Sequence, residues 1–529
     1  MRILDQAIEE KLNQASAPEL AAQEWIDFEK EAENAEIWLF GVGEGADFFL
    51  RRYGESMKIS GAVDNDTGKQ GNNLRDYLDS NGLEGIKVSD PLVLSGREKR
   101  FVVLITSIRY CDAIYEQLAS IGVNKIYSLL HMEANYRLKH NSTLSPVDEK
   151  CKYAADCTNR AIQKNKIILA RDGLGGHGKQ ILLKLHEMRP ELELVWVTEG
   201  SEFENIEGVR IVPQSNWKEY IYELETAEIW LFGDMIPEYA IKRPGQTYIH
   251  LKHWASITLK SFYFHLQKHL ETKSIYDYYR HNTDAMDYCF VGSKFDEDTC
   301  RSGFDFKREC IYVGSPRSDV LFREGIREKV YEQVGIKEDV HTILYAPTFR
   351  SKNAQTLIGH MREVDLEFEM LQCSLKKRFG GEWRILLRIH PDVAMESRGI
   401  KKPDYVVDVT SYPDSEELVA ASDLMISDYS SIMFEPAFVD KPVFLYAPDA
   451  DDYINNDREL LLDYYSLPFP IAKSNDELRV NIEAFDDGIY HKKVTDFLSA
   501  YGVHEDGHAA ERAATFIISM LERVQRSNK

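Results

Sequence analysis

The chain has 529 residues, 43% of them hydrophobic, and a net charge of −23 from 64 basic and 87 acidic side chains. That length is too great for one hydrophobic core and implies three domains. The acidic balance excludes a broad nucleic-acid-binding face, although a local basic cleft remains compatible with it. The seven cysteines are scattered, with no CxxC pair, and read as reduced thiols without a metal site. No apolar run approaches a membrane span, and Met1–Leu20 lacks the apolar core of a signal peptide. The expected location is therefore the cytoplasm, with any membrane work done as a peripheral protein at its inner face.

The first domain is expected over 1–140. Ile3–Asn34 is acidic and helical in pattern. Ile37–Phe40 then runs into Gly41-Val42-Gly43-Glu44-Gly45 and a helix, the opening of a dinucleotide-type α/β fold. A second strand, Ile59–Val63, ends at Asp64, where that fold places an acid near a ribose. Strands at Phe101–Thr106 and Lys125–Ser128 continue the alternation. Gly41, Gly43, Gly45 and Asp64 are candidates for holding a nucleotide. The G-x-G-x-G spacing is equally that of glycines that only make a tight turn. The heptapeptide AEIWLFG occurs at Ala35–Gly41 and again at Ala227–Gly233, and reads as two buried strands of parallel type rather than a tandem repeat.

The polar, proline-ended Asn141–Pro146 marks a boundary, and a second α/β domain is expected over 150–330. Its first strand, Lys166–Ala170, leads to Asp172-Gly173-Leu174-Gly175-Gly176-His177-Gly178-Lys179 and a helix. This loop fails the P-loop spacing but offers flexible backbone, a lysine and a helix start. Strands follow at Leu194–Thr198, Ile229–Phe232, Tyr248–Leu251, Cys289–Val291 and Ile311–Val313. Two stretches stand where chemistry is expected: His250–Ser256 at a strand end, and Gly314-Ser315-Pro316-Arg317-Ser318-Asp319 after the last strand.

A third domain is expected over 331–529. Thr342–Ala346 ends in Pro347-Thr348-Phe349-Arg350, Arg384–Ile389 ends in His390-Pro391, and Tyr405–Val409 leads to Tyr412-Pro413-Asp414. Leu424–Ile426 breaks at Ser427 and is expected to open a helix through Ser430 and Ser431. These serines either cap the helix or form an anion site with its N-terminus. In a parallel sheet the strand ends share one edge, so Thr348, Arg350, His390, Tyr412, Asp414, Ser430 and Ser431 converge on one crevice. The fold class is thus α/β, with three Rossmann-like domains.

Tyr345–Arg350, His390-Pro391, Tyr412–Leu418, Ser427–Ser431 and Lys441-Pro442, in this order, resemble the CDP-glycerol glycerophosphotransferase family of teichoic-acid primases and polymerases. Gly314–Asp319 is similar to that family's G-x-P-R-x-D segment, and Asp506-Gly507-His508-Ala509 to its C-terminal D-G-x-A helix start. The resemblance covers roughly Lys166–Leu521. It implies a GT-B pair: an acceptor-side second domain, a CDP-donor-binding third domain and an active site in the cleft between them. It also implies transfer of glycerol- or ribitol-phosphate from a CDP-polyol to a polymer or lipid-linked acceptor, with CMP released. An extra N-terminal Rossmann-like module is typical of capsule assembly, so capsule assembly proteins are expected partners, and no nucleic acid is.

One departure concerns the family's W-H-G histidine, a proposed catalytic base. Here the text is Lys252-His253-Trp254-Ala255-Ser256. His253 is favoured as its counterpart, with Trp254 in place of the glycine and reshaping the acceptor side; in the alternative register Trp254 matches the tryptophan and Ala255 stands where the histidine would be. His253 would accept the hydroxyl proton. His390 would hydrogen-bond the diphosphate or departing CMP, and Ser430 and Ser431 would hold the diphosphate, with Thr348 beside them. Arg350 would add charge, and Tyr412 and Asp414 would lie toward the nucleoside. No cofactor is required, though a magnesium ion carried by the diphosphate is compatible with the scheme. The rival readings are a GT-B glycosyltransferase using a nucleotide sugar and a nucleotide-binding scaffold without turnover.

Overall fold

In the computed structural model the described residues run from 23 to 527. The exceptions are 34, 54–56, 58, 79–82, 84, 98–99, 109, 140–145, 199–205, 266–272, 349, 352–358, 361–365, 390–401 and 458. One compact unit contains Met1–Lys152; the other holds Tyr153–Gln267, Tyr279–Arg350 and His360–Lys529. Three larger parallel sheets account for the strands expected from apolar runs.

The first sheet has Glu36–Phe40 at its centre, paired in parallel with Ile59–Val63 on one side and Phe101–Ile105 on the other. Val88–Ser89 and Ile126–Ser128 form the edges. The central strand is buried along almost its whole length, as an all-apolar run between helical layers should be. The helix Trp25–Ala32 places Trp25 and Phe28 in the same core.

The second sheet runs, edge to edge, Glu309–Tyr312, Tyr288–Val291, Thr247–His250, Ala227–Phe232, Gln163–Ala170, Glu193–Thr198, Val209–Pro213. The second AEIWLFG copy is its fully buried central strand, parallel to both neighbours. The third sheet runs Val406–Asp408, Trp383–Leu387, His341–Tyr345, Leu424–Ser427, Val443–Tyr446, Ile471–Ala472. In each sheet the first strand of the series lies beside the fourth, so the strand order reverses there, and loops leaving those two carboxyl ends face a shared crevice.

The final helix, Ala509–Ser527, leaves the third sheet. Ala513, Ala514, Ile517 and Leu521 lie in the same core as Ile167, Leu169 and Leu231 of the second sheet. Asp319 fastens its start, accepting the backbone N–H groups of Ala509 at 3.0 Å and Ala510 at 2.7 Å. The last helix thus sits on the second sheet, whereas the sequence division at residue 331 assigns it to the third domain.

A polar seam between the second and third sheets

Loops leaving the carboxyl ends of the second and third sheets, those at the reversal points among them, supply the polar groups. After Ala170, the chain turns through Arg171, which has a left-handed φ of 49°. Asp172 follows and accepts the N–H of Gly178. Burial pushes its carboxyl up to about 7, against the pull of that N–H and of the Arg317 charge. Gly233, leaving the neighbouring strand, lies so close that a side-chain carbon there would sit 2.6 Å from both the Arg171 carbonyl oxygen and the Asp172 carboxylate. In the third sheet the two reversal-point loops are likewise joined, since the Thr348 N–H donates to Asp428 at 2.9 Å.

Groups from the two sheets meet in pairs. Lys179 donates to Asp414 at 3.0 Å. Arg317 bonds Glu416, lies 3.1 Å from Glu435, and donates to the His253 carbonyl at 3.0 Å. Burial works to lower the Arg317 pKa, but the Glu416 and Glu435 charges outweigh it and hold the guanidinium above its ordinary value. Glu435, buried, is raised well above the usual carboxylate range despite Arg317. The Ser431 hydroxyl meets the Thr258 hydroxyl at 2.9 Å and accepts the Leu259 N–H at 3.2 Å. His177 faces the Trp254 carbonyl through Nε2 at 2.8 Å and accepts the Arg317 N–H at Nδ1. It is therefore a neutral Nε2–H ring, and burial and the Lys252 charge lower its pKa well below normal.

The 252–256 loop is fixed from beneath. Lys252 is buried in a left-handed conformation (φ 58°), pairs with Asp296 at 3.1 Å, and donates to the Trp254 and Ala255 carbonyls. This leaves His253 exposed. Asp234, at the end of the adjacent strand, is its charged neighbour. Burial would raise the Asp234 pKa, but His253 first, then the Tyr263 hydroxyl, bring it below the ordinary value. Trp254, expected from the sequence to reshape the acceptor side, turns inward. Its indole is buried, donates to Asp296 at 2.9 Å and lies against Phe262 and Phe304.

The other anticipated residues divide unevenly. Ser430 and Ser431 do not open an α-helix; Ser431–Phe434 is one 3-10 turn, followed by a second at Pro436–Val439. The extended helix dipole expected there is therefore missing, because Pro436 and the chain reversal at Asp440 cut the segment short. Ser430 caps no N–H with its side chain. Asp414 caps Ser415–Ala421 while holding Lys179. The Tyr412 hydroxyl donates to Glu417 at 2.7 Å, and its carbonyl accepts from Arg388. His390 and the Arg350 side chain lie outside the described residues. In the first domain, Asp64 accepts the Val42 N–H at 2.7 Å and pairs with Lys69 at 3.1 Å. Gly41 takes a φ of 102°, a side-chain carbon on Gly45 would lie 2.0 Å from the Thr106 carbonyl oxygen, and Gly43 has nothing within 4 Å. Asp64 and two of these glycines thus close a tight strand–helix turn. Sequence reasoning named the Gly314–Asp319 and Asp172–Lys179 segments but not the Glu416 and Glu435 partners, whose only signal was acidic residues beside the Tyr412 and Ser430 motifs.

The fold and seam define an α/β protein in which two Rossmann-type sheets present polar loops to one another. Residues 154–519 match the family described as CDP-Glycerol:Poly(glycerophosphate) glycerophosphotransferase. The chain belongs to that family and is a glycerophosphotransferase-type enzyme. It is 26% identical over 301 residues (55% of this chain, 75% of the relative) to a teichoic acid poly(glycerol phosphate) polymerase of Bacillus spizizenii. It is 27% identical over 364 residues (64% and 89%) to a teichoic acid glycerol-phosphate transferase of Staphylococcus aureus. A teichoic acid poly(ribitol-phosphate) polymerase of B. spizizenii matches at 31% over 214 residues, covering 39% of this chain and 33% of that one. The solved structure of the wall teichoic acid polymerase TagF superposes with a TM-score of 0.61 at 22% identity, covering 74% of this chain and 98% of that one. That likeness bears on the fold.

Proposed function

We propose that the second and third sheets form a GT-B pair, and that the crevice along their seam transfers a polyol phosphate from a CDP-activated donor to a hydroxyl of a growing teichoic-acid-like or capsular polymer. The observation that carries this reading is the coincidence of the family match with the seam along the carboxyl ends of the two sheets, where loops from both meet. The acceptor hydroxyl attacks the β-phosphorus in line with departing CMP, and positioning and charge neutralisation do most of the work. His253, exposed beside Asp234, takes the hydroxyl proton; the carboxylate stabilises the imidazolium that forms. Lys179 and Arg317 are each held by carboxylates, so they brace the crevice rather than stand open for phosphate. The donor diphosphate is left to Ser430, Thr348, Arg350 and His390, with the nucleoside toward Asp414 and Tyr412. A magnesium ion accompanies the diphosphate, if any metal does. The donor carries glycerol or ribitol, because relatives of both names match. Among the described residues no helix is long and apolar enough to cross a membrane; the proposed setting is the cytoplasmic face, with a lipid-linked acceptor and capsule assembly proteins as partners.

The test is thermal shift of the purified protein with CDP-glycerol, CDP-ribitol, CMP, UDP and UDP-sugars, repeated on Ser430→Ala/Ser431→Ala. A ligand stabilises by its affinity for the folded state. Selective stabilisation by one CDP-polyol, lost in the double variant, is the expected result. A response confined to UDP-sugars would overturn the reading.

A further inference from the structure

The first domain, outside the family match, holds a cluster that the transferase reading does not use. Cys111 is the first residue of the helix Cys111–Ser120, which follows the strand Phe101–Ile105; Asp112 is next to it. His131 lies at the start of Leu129–Lys139, directly after the neighbouring strand Ile126–Ser128. The topology therefore brings all three to the carboxyl edge of the first sheet. The Cys111 sulfur lies 3.5 Å from His131 Nδ1 and 3.4 Å from Asp112 Oδ1, and His131 Nε2 lies 3.8 Å from Asp112 Oδ1. One ligand atom from each of the three residues falls within 4.8 Å of the others.

From these distances we infer that Cys111, Asp112 and His131 form a binding site for a Zn²⁺-class divalent metal ion. A tetrahedral ion with bonds of about 2.3 Å to sulfur and about 2.0 Å to nitrogen and oxygen sets its ligand atoms roughly 3.3–3.5 Å apart. The sulfur–carboxylate separation of 3.4 Å is of that size; the 3.8 Å between Asp112 Oδ1 and His131 Nε2 is a few tenths of an ångström longer, a gap that a turn of the exposed Asp112 side chain would close. The rival arrangement is a nucleophile–histidine–carboxylate relay, which places the thiol and carboxylate on opposite sides of the ring. Here sulfur and carboxylate lie 3.4 Å apart, in contact with each other rather than separated by the ring, and a ligand atom of each of the three groups falls within 4.8 Å of the others. The histidine also has the support that metal-bound imidazoles need. Its Nδ1 lies 2.9 Å from the Ser128 hydroxyl, leaving Nε2 to the ion. Ser128 is itself anchored, its N–H donating to Gln23 at 2.6 Å. Thiolate with imidazole selects Zn²⁺, Co²⁺ or Ni²⁺ over Mg²⁺ and Ca²⁺, which take oxygen ligands. Cys111 and His131 are 3% exposed, whereas the Asp112 side chain is 61% exposed, so an ion enters from the Asp112 side, with a fourth position left there for water. Binding releases the thiol proton to solvent. The ion would tie the starts of two helices together at the sheet edge.

The experiment is a Co²⁺ titration of the full chain, freed of metal by chelation and kept reduced. Cys151 and Cys373 are replaced by serine beforehand, because both are exposed and would bind metal adventitiously. The expected result is a thiolate-to-cobalt charge-transfer band saturating at one equivalent and displaced by Zn²⁺. It should be absent in Cys111→Ser. Asp112→Asn, at an exposed position that folding tolerates, should weaken binding at least tenfold, and Ser128→Ala roughly 10–100-fold. A band that persists in Cys111→Ser, or affinity unchanged in Asp112→Asn, would overturn the site, as would no band in the parent protein. Because the readout is spectroscopic and confined to the first domain, its failure leaves the transferase reading intact, and the reverse also holds.

Discussion

The turn at Gly41–Gly45 and the loop at Asp172–Lys179 are built from the same local grammar: an apolar strand, a glycine-rich turn, a helix. They end differently. In the first, Asp64 comes from the next strand and closes on the Val42 N–H and Lys69, so the polar groups are satisfied within one domain. In the second, Lys179 reaches Asp414, and Arg317 beside it reaches Glu416 and Glu435 on elements of another sheet. A strand–turn–helix motif therefore indicates a fold. The chemistry depends on what the neighbouring elements bring to it.

The comparison predicts a split between variants. His253→Ala should lower polyol-phosphate transfer about 10²–10⁴-fold with little change in melting temperature, since the ring is exposed. CMP release from the preferred donor measures this, and a fully active variant would remove His253 from the mechanism. Arg317→Ala removes the cation between the buried side chains of Glu416 and Glu435 and should cost about 3–5 kcal/mol. It should appear as a lowered melting temperature of the transferase unit, partly restored by Arg317→Lys; an unchanged temperature would mean the seam does not brace the two sheets.

Glu505, which bonds Ser256 and accepts the Ser315 N–H at 2.9 Å, sharpens the point through pH. Burial pushes its carboxyl from 4.5 up to about 7. Between those values the folded chain keeps a proton that the unfolded chain has released, so stability falls as pH rises through this window. Comparing wild type with Glu505→Gln from pH 4 to pH 8 should give a difference that moves against wild type with rising pH, by roughly 3 kcal/mol at most. A difference independent of pH would disprove it. The smallest effects belong to the first domain. Gly45→Ala should cost about 1–3 kcal/mol of that domain's stability by overpacking against the Thr106 carbonyl, and Gly43→Ala less than about 0.5 kcal/mol. Neither should alter transfer; a lost activity in Gly43→Ala would return this turn to the list of ligand sites.

The sheets were legible because their inner strands are continuous apolar runs, which buried parallel sheets require. In the three larger sheets the strands that escaped sequence reading are Val88–Ser89, Val209–Pro213 and Ile471–Ala472, all at sheet edges; the short pair Arg350–Ser351 and Gly359–His360 escaped it too. Val209–Pro213 has only two fully buried residues, Val209 and Val212, and so carries no long apolar run. The candidate site was read as a set of strand ends. Its pairing was not, because Arg317 and Glu416 are 99 residues apart, and Thr258 and Ser431 are 173 apart. Nothing local in either sequence names the other. The serine turn was misread because Leu424–Ser427 followed by hydroxyls has the form of a strand entering a capped helix, and Pro436 lay just beyond the stretch that suggested it.

The return of the last helix to the second sheet means that the chain passes between the two sheets twice, before Ile326 and again before Ala509. The two passages are stitched together: Glu505 accepts the Ser315 N–H, Asp319 holds Ala509 and Ala510, and Arg512 donates to the Val313 carbonyl at 2.8 Å. Two tethers fixed side by side act as the knuckles of one hinge. Both crossings oppose twist and slide of the third sheet against the second, and bending about that line is the motion they restrain least.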